Sequence, residues 1–363
     1  MADNNPRYNF LRQLSGTLPV QGSQEWLDVR KWCVNSSEYD RYEGRYGDRS
    51  SFLSRSAKGE PEQQNIAMSW GNLAEDASGY CFTATTGLRY ELIGSHYHKS
   101  NPKIRGSLDG FGLDKDKKLF VLETKSHYSK EPTSCIGNVG YGKQVVQNIE
   151  IADADYGLFN ATRLLPAATK DIGDRVSGRT LESSSPIACE FHRFNLAAAL
   201  PKPIHLVAIS VHRSPRVDST SWEERFGAGQ VWLGNIFDGI VGTHPVLKLL
   251  DLRNMITARE FIWKPMEVTN LIGPDANVWA EKMVMDGKKL WSEDSSCIGV
   301  GFLKLSSHNI QSVPRQTEYW ETYMHPVAEQ WLADIELARR GEIVPARLPM
   351  TNIPPPIGVF PSE

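Results

Sequence analysis

Leu119, Phe120, Val121 and Leu122 form an unbroken apolar run that ends on three polar residues, Glu123, Thr124 and Lys125. A run this short, entered from the charged stretch Asp114 to Lys118, predicts a buried strand reached through a hairpin turn. Period-two alternation then sends Glu123 and Lys125 out on one face and Thr124 on the other. Upstream, Gly106, Ser107, Leu108, Asp109 and Gly110 predict a glycine-rich turn that carries a second carboxylate to the adjacent strand end. Two carboxylates and one ammonium are thereby expected side by side. Facing carboxylates repel unless something positive lies between them, and a hard divalent cation such as Mg²⁺, with its preference for oxygen ligands, meets that need. A lysine beside them could hold or polarise an attacking water, which suits metal-assisted hydrolysis of a phosphodiester. In a chain with 23% charged residues, an acidic residue followed by Glu-x-Lys is most often a solvated hairpin edge. The apolar approach to Glu123 and the glycines around Asp109 argue for the site.

The rest of the composition sets outer bounds. At 363 residues, 40% of them apolar and ten of them Trp, the chain is long enough for a sizeable core and is globular, not disordered. A formal charge of -3 neither demands nor forbids nucleic acid, because a few placed Arg and Lys residues suffice to grip phosphate. Five cysteines without a Cys-x-x-Cys pair point to a reducing compartment and away from a zinc site. No apolar run approaches the ~20 residues of a membrane span, and no leader segment is read at the start. A soluble, intracellular protein of cytoplasm or nucleus is expected, with no membrane partner.

Along the chain, Gln21 to Trp32 predicts a helix capped by Ser23, with Trp26, Val29 and Cys33 at helical spacing and Arg30 on the side of Trp26. Tyr39 to Pro61, rich in Arg, Ser, Gly and Tyr, predicts an exposed loop, either a solvated insertion or a segment that touches a polyanion. Ile66 to Phe82 predicts a second helix with Met68, Leu73, Ala77 and Tyr80 on its apolar face and Glu75 off the centre of that face. His96 and His98 could share a metal from one strand face, but without a third ligand they read as surface residues. Tyr128 to Gly142 predicts a flexible glycine-bearing cover, and Lys143 to Asp155 a helix with Gln144 in its first turn. Ala161 to Pro203 predicts an insertion. His205 to His212 and Gln230 to Val241 predict further strands, and Glu318 to Arg340 a long helix stopped by Gly341, before a Pro-rich tail. A single domain is expected, with its core over about 20–160 plus 203–341, an insertion over 161–202 and a tail over 342–363.

Five segments in order carry a resemblance. They are Gln21 to Arg30, Trp70-Gly71-Asn72-Leu73-Ala74-Glu75, Ser107-Leu108-Asp109-Gly110, Leu122-Glu123-Thr124-Lys125 and Tyr141-Gly142-Lys143-Gln144. Together they resemble the phage lambda exonuclease-like, or YqaJ-type, branch of the PD-(D/E)xK nuclease superfamily, which includes alkaline nucleases of large DNA viruses. The likeness covers roughly the first 160 residues closely.

The resemblance implies a restriction-endonuclease-like α/β fold, a mixed central sheet flanked by helices. It implies a Mg²⁺-dependent deoxyribonuclease that digests double-stranded DNA from its ends in the 5′-to-3′ direction, with two metal ions and Mn²⁺ as a substitute. Asp109 and Glu123 would ligate metal, with the Thr124 carbonyl a further ligand and Glu75 completing a second position. Lys125 would activate the water, and Gln144 would orient the nucleophile or the scissile phosphate. Arg30, with Ser36 or Ser37, would bind the terminal phosphate through its bidentate fork. Met68 would be an apolar wedge at the end base pair, or a core residue. A single-strand-annealing recombination partner and a homotrimer are expected by analogy, with roles in recombination, repair or viral DNA processing. The family commonly has Pro where this chain has Leu108, and Cys-Pro where it has Ser126-His127, positions that supply no ligand. The segments 39–61 and 161–203 bear on processivity and on the trimer. An endonuclease acting on DNA or RNA, and a nuclease-fold protein that binds nucleic acid or a partner without cutting, remain as alternatives.

Overall fold

The apolar run is a strand, and two layers of helix are built on the sheet that contains it. A computed structural model describes residues 5–19, 23–44, 48–58, 66–127, 131–132, 135, 139–167, 204–214, 261–272, 274–294 and 296–342. Chain order is α1 (Pro6–Ser15), α2 (Gln24–Arg30), β1 (Val34–Asn35), a 3₁₀ turn (Ser36–Glu38), α3 (Tyr39–Tyr42), α4 (Arg49–Lys58), α5 (Ile66–Thr86), β2 (Ser95–Tyr97), β3 (Ile104–Ser107), β4 (Gly110–Leu113), β5 (Leu119–His127), α6 (Val139–Ala152), β6 (Tyr156–Pro166), β7 (Leu206–Arg213), β8 (Phe261–Thr269), α7 (Pro274–Glu293), β9 (Cys297–Pro314), α8 (Thr317–Tyr319), a π turn (Trp320–Met324) and α9 (His325–Arg339).

Six strands make a mixed sheet in the order β4-β5-β6-β9-β7-β8. Only β5 and β6 run parallel in it, with α6 as their crossover, and the other neighbours are antiparallel. This is the expected mixed α/β sheet flanked by helices. Alternation along the strands sorts the core onto two faces. Phe120 and Leu122 pack with Phe82 of α5, whereas Leu119 and Val121 pack with Val145, Val146 and Ile149 of α6. Farther along the sheet, Val207, Ile209 and Val211 meet Leu73, Ala77 and Cys81 of α5. Leu206 and Ala208 meet Ala276, Trp279 and Met283 of α7 on the opposite side. Hence α5 covers one face, and α6 and α7 cover the other. Among the described residues no helix is long and apolar enough to cross a membrane.

The hairpin closes through Asp114, whose Oδ1 accepts from the backbone N–H groups of Asp116 and Lys118, both at 2.9 Å. A carboxylate that caps its own turn in this way fixes the register at which β5 leaves it. A second, three-stranded sheet, in the order β1-β3-β2, lies beside the first. The chain passes from β3 to β4 through Leu108 and Asp109, so Asp109 sits at the joint between the two sheets.

Several expectations need correction. Of the expected exposed loop over 39–61, residues 45–47 and 59–61 lie outside the described residues, and residues 39–44 and 48–58 are not an exposed loop: Tyr39, Tyr42, Phe52 and Leu53 are buried around Trp331 of α9, with the Tyr42 ring stacked on it at 4.8 Å. The sequence's polarity hid aromatics spaced to bury one side of two short helices. Ala161 to Pro166 belong to β6, not to an insertion. Helix α6 begins at Val139, so Gly140 and Gly142 are helical and Gln144 lies beyond the first turn. The glycines around Asp109 form a strand, a bend and a strand, not a free turn. His96 and His98 are buried, not at the surface. Burial pushes His96 down to about 4, and His98 Nδ1 lies 2.8 Å from Ser100 Oγ. Strand β9, an 18-residue element with β6 and β7 as neighbours, adds to the strands expected from the sequence. The long C-terminal helix is present with a π turn near its start, and Gly341 ends it at φ 73°. The expected strand over 230–241, the segment 168–203 and the Pro-rich tail lie outside the described residues.

Candidate active site

Strands β4 and β5 pair from Leu113 with Leu119 to Gly110 with Leu122, and there the pairing stops. Beyond that point β5 continues as Glu123 to His127, paired with β6 alone. Asp109 precedes the last paired residue of β4 and lies in the mouth of the resulting fork. Its Oδ2 accepts from the Thr124 N–H at 2.7 Å, so a backbone group holds the carboxylate against β5. Glu123 is fully buried, and its two oxygens have separate donors, the Lys125 ammonium at Oε1 and Asn148 Nδ2 of α6 at 3.0 Å from Oε2. Glu75, half-buried on α5, hydrogen-bonds Asp109. Three carboxylates and one ammonium, drawn from β5, the β3–β4 joint and α5, thus share a small space.

The electrostatics follow from that crowding. Burial, reinforced by Asp109, pushes Glu123 up to about 8. Burial and then the Asp109 charge hold Glu75 well above the ordinary carboxylate range, and burial raises Asp109 as well. Burial alone would lower the Lys125 ammonium, but Glu123 and Asp109 outweigh it and hold the group above its ordinary value. Lys125 therefore stays charged and offers N–H donors. It also lies 5.8 Å from the centre of the Tyr141 ring.

On the α5 side of the sheet, Thr124 turns its hydroxyl toward a buried polar chain. Asn160 Nδ2 donates to the Ser78 carbonyl at 3.1 Å and approaches Thr124 Oγ1 at 3.5 Å. His308 Nε2 meets Asn160 Oδ1 at 2.7 Å, and burial pushes His308 down to about 4. The neutral ring then donates to the amide oxygen.

The donor chemistry fits a hard divalent cation: three carboxylates whose mutual repulsion is unrelieved except by one lysine and by protons. Among the described residues no three acidic, His or Cys side chains converge into a ready-formed cage, and Lys125, Asn148 and the Thr124 N–H engage oxygens of Glu123 and Asp109.

The remaining expected residues fall into two groups. Gln144 is buried on α6, one helical turn before Asn148 and on the same side. Met68 is half-buried two turns before Glu75 on α5. Helix α2 is tied to the site by Trp26, whose Nε1 donates to Ser107 Oγ at 3.1 Å, two residues before Asp109. On that helix the Arg30 guanidinium lies 4.5 Å from the Trp26 ring centre, and it is ion-paired with Glu38 at 3.4 Å. Ser36 is buried and Ser37 is exposed, so these neighbours are not interchangeable. Asn148, Asn160 and Tyr141 were not read from the sequence as site residues. The spacing Gln144-x-x-x-Asn148 signals the first, because both side chains leave one helix face.

No family model matches the chain, and no curated protein matches its sequence. Among solved structures it is similar to an alkaline exonuclease from Laribacter hongkongensis, at 17% identity and a TM-score of 0.33 over 39% of this chain and 74% of that one. It is also similar to a phage-related exonuclease from Haemophilus somnus, at 18% identity and a TM-score of 0.27 over 40% of this chain and 68% of that one. With superpositions this partial, it is the residues of this chain that carry its chemistry.

Proposed function

We propose that this protein is a Mg²⁺-dependent nuclease that hydrolyses DNA phosphodiester bonds, acting on duplex ends in the 5′-to-3′ direction. The observation that carries the reading is the strand fork, where Asp109, Glu123 and Lys125 meet with Glu75 beside them. Carboxylates crowded together and raised by burial cost stability, whereas a cation and a phosphate together make use of every group.

Asp109, Glu123, Glu75 and the Thr124 carbonyl would hold the metal, as two ions, with Mn²⁺ as a substitute. When bound, such an ion supplies Lewis-acid stabilisation of the charge that builds on the phosphoryl oxygens. The chain's own groups do the rest. Lys125, kept as an ammonium, orients a water by donating to it and stabilises developing negative charge; in that state it is not a proton acceptor. Gln144, projecting from the same face of α6 as Asn148, orients the nucleophile or the scissile phosphate. Arg30 on α2 reads the terminal 5′-phosphate, with Ser36 at its side and Met68 toward the end base pair. The annealing partner and the trimer belong to this reading by analogy and rest on no feature of the fork.

The test uses purified protein and its Glu123→Gln variant with Mg²⁺, on linear duplexes with and without a 5′-phosphate and on a closed circle. Digestion of the linear DNA alone, faster with the phosphate and absent in the variant, is the expected result. Cutting of the circle by the wild type would move the function to an endonuclease with the same metal site. No hydrolysis of DNA or RNA would leave a binding protein and overturn the reading.

A further inference from the structure

We infer that Asn148 is a positioning residue of this site: from α6 it fixes the Glu123 carboxylate in the orientation that a divalent cation needs, and residue 106 is glycine to let it do so. The inference rests on the nuclease reading above. Asn148 is fully buried, and Nδ2 donates to Glu123 Oε2 at 3.0 Å while Lys125 holds Oε1. With a donor on each oxygen, the carboxylate cannot turn about its last bond without losing one of them.

The other end of the amide shows what this arrangement costs. Asn148 Oδ1 is buried with no hydrogen-bond partner among the described residues. A buried acceptor left unpaired is unfavourable, and an apolar side chain in its place would carry no such penalty. With Nδ2 committed to Glu123 Oε2, the amide oxygen is turned away from the carboxyl group. The orphaned oxygen lies against Gly106, where an added Cβ would stand 2.3 Å from it. A side chain at 106 would press first on this amide, and less closely on Ile151 Cδ1 and Ser36 Oγ, each 3.3 Å from the added Cβ.

The test is calorimetric titration of Mn²⁺ into the metal-free full-length protein, with thermal melts and with steady-state hydrolysis of linear duplex in Mg²⁺. The variants are Asn148→Ala, Asn148→Leu, Gly106→Ala and, as a control on the same helix, Ile149→Val. The expected result is Mn²⁺ affinity weakened at least tenfold in the first three, with kcat lowered and the KM for duplex unchanged, and wild-type affinity in Ile149→Val. A folded Asn148→Ala that binds Mn²⁺ and turns over like the wild type overturns the inference and leaves the nuclease reading intact. Should Asn148→Ala fail to fold, wild-type affinity in Asn148→Leu and Gly106→Ala overturns it equally. A wild type that binds no Mn²⁺ and cuts no nucleic acid overturns the nuclease reading, and this inference with it.

Discussion

The Thr124 backbone N–H donates to Asp109 Oδ2 at 2.7 Å, across the point where β4 and β5 part. A main-chain group thus bridges the two strand ends, and the bridge asks only for an acceptor, not for a charge. Asp109→Asn keeps an oxygen for that N–H, so it should fold with a melting temperature close to that of the wild type. It removes the carboxylate, however, and hydrolysis of linear duplex should fall on the order of 10²–10³-fold or more, as for loss of a principal electrostatic group. Melts and duplex digestion on the same preparation check both halves; retained hydrolysis would remove Asp109 from the site.

The raised carboxylates make stability depend on pH in an unusual direction. Burial, with the neighbouring charges, lifts Glu75 and Glu123 above their ordinary values, Glu123 to about 8. Between the ordinary carboxylate range and about pH 8 the native state therefore binds more protons than the unfolded chain, and stability falls as pH rises through that window. The metal-free protein should melt at a lower temperature at about pH 8.5 than at about pH 5.5, the two sides of the window set by this linkage. Mg²⁺ binds the native state and should shrink the difference. Melting temperatures equal at both pH values, in chelator and in Mg²⁺ alike, would contradict the crowding described at the fork.

Arg49 and Asp334 form a buried ion pair, with Tyr42 donating to the same carboxylate at 2.7 Å. Arg49→Met leaves Asp334 buried with its charge uncompensated, which should cost about 3–5 kcal/mol of stability. Chemical denaturation reads this directly. Loss of less than about 1 kcal/mol, the range of an exposed pair, would mean that solvent reaches Asp334.

The fork was legible in the sequence because its signals are local. An apolar tetrapeptide running into Glu123, a capped turn at Asp114 and period-two alternation are properties of adjacent residues. The helix cap at Ser23 was legible for the same reason, since its side chain accepts from the N–H of Trp26, three residues on. What escaped depends on partners distant in the chain. Tyr39 and Tyr42 look like loop residues until Trp331, some 290 positions later, covers them. Strand β9 joins two parts of the sheet far apart in sequence, and its polar residues, including His308 and Gln311, conceal the alternation. Asn160 carries no local signal, and in the fold it is buried between Ser78, Thr124 and His308.

Arg30 is restrained before any nucleic acid arrives, and that gives its proposed role a test of its own. Its guanidinium is paired with Glu38 at 3.4 Å and lies over the Trp26 ring. Both charged groups are only about one-fifth exposed, at 21% each, so water screens the pair incompletely. A phosphate binding at Arg30 must compete with Glu38. Glu38→Gln removes the competitor and keeps the side chain's shape and its acceptor for the Asn35 amide, which donates to Glu38 Oε2 at 2.8 Å. Digestion of 5′-phosphorylated duplex should then show a lower KM, whereas unphosphorylated duplex should change little. Arg30→Ala should abolish the preference for the phosphate and reduce the slope of log affinity against log salt by about 1, the share of one lost phosphate contact. The two variants must move the phosphate preference in opposite directions. If Glu38→Gln leaves it unchanged while Arg30→Ala weakens all duplexes alike, Arg30 acts by holding α2 against Trp26, and the terminal phosphate is read elsewhere.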